Sequence, residues 1–408
     1  MRLDLARSAR AMTLVTLALT AASAAGCTAA TADGPDPVDQ TSDSITDVNH
    51  SKVKRQSIGN CWTYATATWV ESMALSATHE ELNTSESYTT FWHWYNQIGS
   101  RTTEIQTGGS WSDATSLMLQ YGVMSERDFI ASEANAEMSA RQSVALDAIN
   151  ESLKSGALST STARRDRTLV RAELARAWRL APTVTEQLDA VFTPAVTRDL
   201  TAASTPTTGT SIKRPREIPA AYTAAPGAPM VTHTLEDAIR SWRTVPYRAR
   251  TKATRRAFAK RWQKALNDNQ PVIISWFVDF NALDTSGRFA APPATPGHQG
   301  YHMVVMEDYE IDGVPGFGTL AAGTLETRPE ALAASLSDKA AVDFIRIKNS
   351  WGSYRSDRQF VLPGYHDLYM KYLDGPVQEC ATNADESTNV DDCWSTTPLQ
   401  DATLPPGY

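Results

Sequence analysis

The stretch Gln56-Ser57-Ile58-Gly59-Asn60-Cys61-Trp62-Thr63-Tyr64-Ala65 contains a glycine-bearing loop that leads into an apolar segment, with a cysteine at the junction. The following apolar residues recur at helical spacing through Trp69 and Met73, which predicts a helix that begins near Cys61. A helix N-terminus favours a thiolate through its dipole and its unpaired N–H groups. Cys61 is therefore a candidate nucleophile. The alternative is that it is a small buried hydrophobic residue.

Two later segments contain candidate partners for Cys61. A cysteine nucleophile needs a histidine as base and a third group that orients this histidine. Residues 297–306 offer two histidines. His302 is the better candidate because it opens an apolar strand, whereas His298 lies among Gly and Gln in a loop. Residues 344–348 predict a further strand, which ends in the motif Asn349-Ser350-Trp351-Gly352.

These motifs, taken in this order, resemble the papain-like cysteine peptidases. The match consists of the nucleophile segment, the Gly-Gly pair at 108–109, a histidine that opens an apolar strand and the Asn-Ser-Trp-Gly motif. Residues 82–95 are similar to a segment of the bleomycin hydrolase-like branch of the family. The resemblance lies chiefly in residues 53–130 and 262–373.

The resemblance implies an α+β fold with two subdomains, a helical left one and an antiparallel β-barrel-like right one, and a helical insertion. It implies catalytic roles for Cys61, His302 and Asn349, an oxyanion-binding role for Gln56, substrate binding by Gly108 and Gly109, and shielding of the triad by Trp351. Gln56 stands five residues before Cys61, where the family usually has six. Whether this shorter loop leaves a working oxyanion hole stays open.

The N-terminus predicts export. Three arginines within residues 1–10 precede an apolar run over residues 11–22 and then small residues, so residues 1–26 are expected to be a signal peptide. Cys27 directly follows these small residues, and we expect it to be the lipidated first residue of a bacterial lipoprotein. Cleavage near Ala25 without lipidation is the alternative. Residues 27–50 are rich in Thr, Ala, Asp and Pro, which predicts a flexible tether.

The remaining chain is expected to contain four parts. Residues 51–134 form the helical subdomain with the nucleophile helix, 135–250 a helical and loop insertion, 251–375 the β-barrel subdomain, and 376–408 a C-terminal tail. The insertion is locally basic, as expected of a solvated face, although a role in restricting access to the cleft is the alternative. In the tail of an exported protein, Cys380 and Cys393 are expected to form a disulfide. A zinc site is the weaker interpretation because no histidine lies beside them.

Composition limits the function further. The net charge of −8 and the pI near 5.5 argue against a nucleic-acid partner, which requires a basic face. Beyond the N-terminus no apolar run approaches the ~20 residues that a membrane-spanning helix needs, so membrane contact is expected only through the lipid. We expect a cysteine peptidase that acts on peptides or proteins through an acyl-enzyme, without metal or cofactor. The alternatives are a weak or inactive surface binding protein, or an amidase or acyl transferase with the same triad.

Overall fold

The computed structural model describes residue 48 and residues 51–100, 102–353, 362–383, 385 and 387–408. The predicted signal peptide and Cys27 lie outside the described residues, as does the predicted tether apart from Val48. Of the helices in the described ranges, none combines the length and the apolar composition needed to cross a bilayer.

Helices dominate the first part of the chain. They are α1 (Cys61–Thr78), α2 (Glu86–Gly99), α3 (Trp111–Tyr121), α4 (Glu126–Phe129), α5 (Arg141–Lys154), α6 (Arg167–Ala177) and α7 (Pro182–Phe192), followed by the hairpin β1 (Pro219–Thr223) and β2 (Met230–Thr234) and by α8 (Leu235–Ser241). Capping residues fix several starts. Ser85 accepts the backbone N–H of Tyr88 at the start of α2, and Ser110 forms a capping box with Asp113 at the start of α3.

The second part of the chain builds the main sheet. Its elements are β3 (Arg243–Pro246), α9 (Lys252–Asn267), β4 (Val272–Asp279), β5 (Arg288–Phe289), β6 (Gln299–Val314), β7 (Gly318–Leu320), α10 (Pro329–Ser335), β8 (Ala341–Lys348), β9 (Tyr365–Tyr369), α11 (Met370–Leu373), β10 (Val377–Thr382), β11 (Thr388–Thr396) and β12 (Leu399–Leu404). The strand order is β3-β12-β4-β6-β8-β9-β5, with β7 on β6 and β10–β11 as a separate hairpin. All pairs in this sheet are antiparallel except β5–β9. The predicted α+β class is confirmed.

The barrel-like detail of the prediction requires a correction. In the described part of the chain β3 and β5, the two ends of the strand order, do not pair with each other, so the sheet is open. The end strands are too short to close it: β5 has two residues, and β3 has four and ends at Pro246. Proline lacks the N–H that a further strand partner would need.

Two hydrophobic cores hold the fold together. The first contains the buried face of α1 together with residues of α5, α6 and α7, among them Leu146, Leu174 and Leu188. Residues 135–250 therefore share a core with the nucleophile helix. The second core lies behind the main sheet and includes Trp262 of α9. The main sheet also includes β3, from the predicted insertion, and β12, from the predicted tail.

Strand β6 joins the two cores. Its residues Met303 and Val305 pack in the first core with α1, whereas Val304 and Met306 pack in the second. This division follows from the alternation of side chains along a strand. It places the beginning of α1 beside the part of β6 that carries His302.

Candidate active site

Cys61 is the first residue of α1, as the sequence predicts. A tight turn leads into the helix, in which the backbone N–H of Asn60 donates to the Ile58 carbonyl at 2.8 Å. Cys61 is partly exposed, and it is the free cysteine among the described residues. It packs against the hydrophobic core that contains Met303, the residue after His302. The candidate nucleophile therefore lies beside the strand of the candidate base.

Two opposing effects act on the pKa of the Cys61 thiol. Burial raises this pKa to about 11, although the backbone groups of Met303 and Trp62 lower it. The cost of desolvating the charge exceeds the effect of these backbone groups, so the helix position alone does not produce a thiolate.

His302 is bound to Asn349. The distance from His302 Nε2 to Asn349 Oδ1 is 2.7 Å, and both side chains are buried. The same Oδ1 accepts the backbone N–H of Ser350 at 2.7 Å, so Nε2 must be the protonated nitrogen. Nδ1 has no hydrogen-bond partner in the described part of the chain. Burial lowers the pKa of His302 to about 4, while the bond to Asn349 raises it.

Trp351 covers this pair. Its ring stacks on the His302 imidazole with centroids 4.7 Å apart and an interplanar angle of 27°, and only 2% of Trp351 is exposed. The Trp276 ring also packs against the imidazole in a T-shaped arrangement, with ring centroids 6.3 Å apart. Because these rings exclude water, the hydrogen bond between His302 and Asn349 lies in a low-dielectric environment, where it is stronger than in water.

Gln56 lies beside the Asn-Ser-Trp-Gly segment. Its Oε1 accepts the Ser350 hydroxyl at 2.6 Å, and its backbone N–H donates to the Ser350 carbonyl at 2.9 Å. Its side-chain amide donates to the Ile58 carbonyl at 2.9 Å, and only 1% of the residue is exposed. These bonds hold Gln56 in one orientation, and one N–H of its side-chain amide is bound to the Ile58 carbonyl of the same loop. The oxyanion-binding role remains a prediction.

The Gly108-Gly109 pair lies next to the nucleophile segment. Both glycines are exposed. The Trp62 indole Nε1 donates to the Thr107 carbonyl at 2.9 Å. A Cβ on Gly109 would lie 2.6 Å from Trp62 Cε2, whereas a Cβ on Gly108 would meet nothing within 4 Å. Gly109 is therefore required by its contact with the residue that follows Cys61.

A buried charge cluster behind the nucleophile loop was missed by the sequence analysis. Lys54 Nζ lies 2.8 Å from Glu86, 3.3 Å from Glu71 and 3.5 Å from Glu126. Burial lowers the pKa of Lys54, but the three carboxylates raise it above its usual value. This cluster ties the loop before Gln56 to three helices. The available signal was Glu71, an acidic residue within an otherwise uncharged helix.

The other histidines considered do not join the triad. His298 is exposed and stacks on Phe280, with centroids 5.8 Å apart. His93, on α2, packs edge-on against Trp62, with ring centroids 4.8 Å apart. His302 is the histidine that hydrogen-bonds to Asn349.

The predicted disulfide between Cys380 and Cys393 is present. It links the two strands of the β10–β11 hairpin, where these residues face each other in the register. A disulfide is compatible with an exported protein, since such bonds persist in oxidising compartments.

No protein-family model and no curated protein matches the sequence. Solved structures similar to this chain include PepW from Lactobacillus rhamnosis HN001 (11% identity, TM-score 0.42), which covers 90% of this chain and 82% of its own. Xylellain, a cysteine protease from Xylella fastidiosa, has 11% identity and a TM-score of 0.35, with 90% of this chain and 85% of its own covered. The Carica candamarcensis cysteine protease CMS1MS2 has 13% identity and a TM-score of 0.31, with 88% and 93% covered.

Two of these three structures are described as cysteine proteases. They do not distinguish the bleomycin hydrolase-like branch, which stays a prediction. No TM-score among them exceeds 0.42, so the function proposed below rests on the residues of this chain.

Proposed function

We propose that this protein is a papain-like cysteine peptidase that hydrolyses peptide bonds through Cys61, His302 and Asn349. The observation that carries the proposal is the 2.7 Å bond between His302 and Asn349 under the Trp351 ring. A buried imidazole with one nitrogen fixed by an amide oxygen and the other without a described partner is suited to accept a proton.

In the proposed reaction His302 Nδ1 takes the proton of the Cys61 thiol as the sulfur attacks the peptide carbonyl. The imidazolium then protonates the leaving amine, and the acyl group stays on the sulfur. Water, deprotonated by His302, attacks the thioester and releases the acid and the free thiol. Since the pKa values of about 11 for Cys61 and about 4 for His302 describe a neutral resting pair, the proton moves during the attack.

The oxyanion formed in both steps would be bound by the backbone N–H of Cys61 and the side-chain amide of Gln56. The bond from Ser350 to Gln56 Oε1 supports this role because it directs the amide nitrogen away from Ser350. Gly108 and Gly109, exposed beside Trp62, would bind the substrate backbone. In the cellular setting we propose, the protein is exported and anchored through a lipid on Cys27.

A second candidate function is a surface binding protein with little catalysis. The high pKa of Cys61 and the bond from the Gln56 amide to Ile58 favour it, since both would slow acylation. An amidase or acyl transferase with the same triad is the third candidate.

The proposal is tested with fluorogenic peptides that have free or blocked N-termini, incubated with the wild-type chain and with Cys61→Ala. Hydrolysis by the wild-type chain alone supports a peptidase, and the N-terminal requirement separates aminopeptidase from endopeptidase. If the two proteins behave alike on every peptide, the peptidase proposal is wrong. A Cys61 that is then acylated by small amides supports the amidase or transferase, whereas an unreactive Cys61 supports the binding protein.

A further inference from the structure

The β10–β11 hairpin is attached to the strand that carries His302. The Gln299 side-chain amide donates to the Gln378 carbonyl at 2.6 Å, and Gln299 Oε1 accepts the backbone N–H of Cys380 at 2.9 Å. Gln299 stands three residues before His302 on β6. The hairpin is thereby held beside the candidate active site.

Tyr301 connects the hairpin to the candidate active site. It directly precedes His302, so its side chain lies on the same face of β6 as that of Met303. Side chains two residues apart on a strand are roughly 7 Å apart. Met303 packs in the core that contains the buried face of α1, and Cys61 packs against the same core. The Tyr301 ring, which is 55% exposed, therefore lies on the Cys61 side of β6.

Glu379 and Trp394 extend this surface onto the hairpin. The Tyr301 hydroxyl lies 3.0 Å from each carboxylate oxygen of Glu379. Glu379 pairs with Trp394 in the register, so the two side chains share one face of the hairpin. Trp394 is 49% exposed. The neighbouring pair, Cys380 and Cys393, is the disulfide. Tyr301, Glu379 and Trp394 are called the aromatic-acidic patch below.

The charged residues of the hairpin all have one sign. The hairpin sequence 377–396 has no Lys, Arg or His, and its acidic residues are Glu379, Asp385, Glu386, Asp391 and Asp392. Aromatic faces attract cations, Lys and Arg in particular. A carboxylate between two exposed aromatic rings therefore complements a cationic side chain. An acidic ligand would be repelled, and an apolar one would leave the carboxylate without a favourable partner.

We propose that the aromatic-acidic patch binds a lysine or arginine side chain of the peptide substrate, so that substrates with a cationic residue near the scissile bond are preferred. This inference rests on the proposed peptidase function and names a substrate class for it. The hairpin acts on specificity only. It contributes no group to the bond-breaking steps.

The test compares pairs of internally quenched peptides that differ at one position, with lysine in one and norleucine, which lacks the ammonium group, in the other. The position is moved through the residues that flank the scissile bond. For the full-length wild-type chain we expect kcat/KM to be about five- to tenfold higher for lysine at one of these positions. The preference should shrink between about 0.05 and 0.5 M NaCl because salt screens an exposed ion pair.

Three variants test whether the preference for lysine over norleucine depends on the patch. Glu379→Gln keeps an acceptor for Tyr301 but removes the charge, and Trp394→Ala removes one ring. Both should bring the ratio of kcat/KM for the lysine peptide to that for the norleucine peptide close to one. Asp385→Asn makes the same charge change at the hairpin turn and should keep the ratio. Equal rates for the two wild-type peptides, or a ratio that survives in both patch variants, would overturn the proposal.

A binding measurement distinguishes an error in the proposal on the patch from an error in the proposed peptidase function. The same peptide sequences, labelled with a fluorophore and no quencher, are titrated with full-length Cys61→Ala, and fluorescence polarisation gives the Kd. Tighter binding of the lysine peptide without hydrolysis by the wild-type chain would support the patch and reject the peptidase. Equal Kd values for the two peptides would reject the patch, whether or not the wild-type chain hydrolyses them. A patch that binds another protein would also give equal values.

Discussion

Asn349 Oδ1 accepts two hydrogen bonds at 2.7 Å, one from His302 Nε2 and one from the backbone N–H of Ser350. Because the Ser350 N–H can only donate, the Asn349 atom that it contacts is the amide oxygen. This oxygen can only accept from His302 Nε2, and this fixes the tautomer of His302. The proton is on Nε2, and the lone pair is on Nδ1. The residue after the asparagine thus determines which nitrogen of the histidine acts as a base.

Asn349→Ala should lower kcat and leave KM nearly unchanged. Without the amide oxygen the imidazole loses its fixed tautomer and orientation, and the loss of one buried hydrogen bond corresponds to a roughly 5- to 10-fold decrease, about 1–1.4 kcal/mol. Steady-state kinetics on a peptide substrate measure this effect. Asn383→Ala, a change of the same type on the exposed hairpin, is the control. A KM effect larger than the kcat effect would contradict the orienting role.

The pH dependence of alkylation tests the neutral resting pair. With a Cys61 pKa of about 11 the thiolate fraction, and therefore the iodoacetamide rate, should rise with pH throughout the alkaline range up to about 11. His302, with its pKa lowered to about 4, should be a neutral base above that pH and lose this role below it. The acid limb of kcat/KM is therefore expected near pH 4. A fast alkylation plateau between pH 5 and pH 8, absent in His302→Ala, would instead indicate a thiolate–imidazolium pair.

Gly109→Ala should impair substrate binding, whereas Gly108→Ala should not. The new Cβ at residue 109 would lie 2.6 Å from the Trp62 indole, so the loop or the ring must move. The Cβ at residue 108 has open space. We expect KM to rise several-fold for the first variant and to stay near the wild-type value for the second. Equal effects of the two substitutions would show that the Trp62 contact does not position this loop.

Gln56→Ala tests the oxyanion hole. If the Gln56 amide stabilises the oxyanion, its removal should lower kcat by roughly 10²–10³-fold, since one such donor contributes about 2.7–4 kcal/mol. Ser57→Ala removes a different hydrogen bond of the same loop, from Ser57 Oγ to the Ser139 carbonyl at 2.8 Å, and serves as the control. A similar small loss in both variants would assign Gln56 a structural role.

Reduction of the disulfide should affect the hairpin more than the rest of the fold. Cys380 and Cys393 are 13 residues apart, and a cross-link over a loop of this length contributes up to about 3 kcal/mol. Limited proteolysis should therefore cut the turn at residues 383–387 faster in Cys380→Ser/Cys393→Ser than in the wild-type chain. The thermal transition of the main core should change little. A large drop in Tm would show that the hairpin supports the core.

The sequence predicts the parts of the site that local patterns encode. The helix start at Cys61 and the strand end before Asn349 follow from apolar periodicity and lie where expected, whereas the strand that was predicted to open at His302 begins three residues earlier, at Gln299. The bond from His302 to Asn349 joins residues distant in sequence, and only the motif order suggested it. The pKa of Cys61 could not be predicted because desolvation depends on the residues packed around the thiol, which local spacing does not reveal.

The fold was less predictable where strands are short. β3 and β12 have few residues, and β12 alternates only weakly between apolar and polar side chains. Their place beside β4 is set by pairing between distant segments, and a short run such as Arg243–Pro246 has no periodic signal of its own. The helices of residues 135–250 have clear patterns, but their shared core with α1 depends on tertiary packing.

The position of β12 has a consequence for the biosynthesis of the protein. This strand lies between β3 and β4, although it is made after every other strand of the sheet. While the chain leaves the ribosome or crosses a membrane, β4 can pair with β6 but keeps its other edge unpaired until residues 399–404 have emerged. An unpaired edge is a template for association with other chains. The nascent protein therefore depends on its last strand for protection against aggregation, and a stop codon shortly before residue 399 should yield aggregates rather than a smaller folded domain.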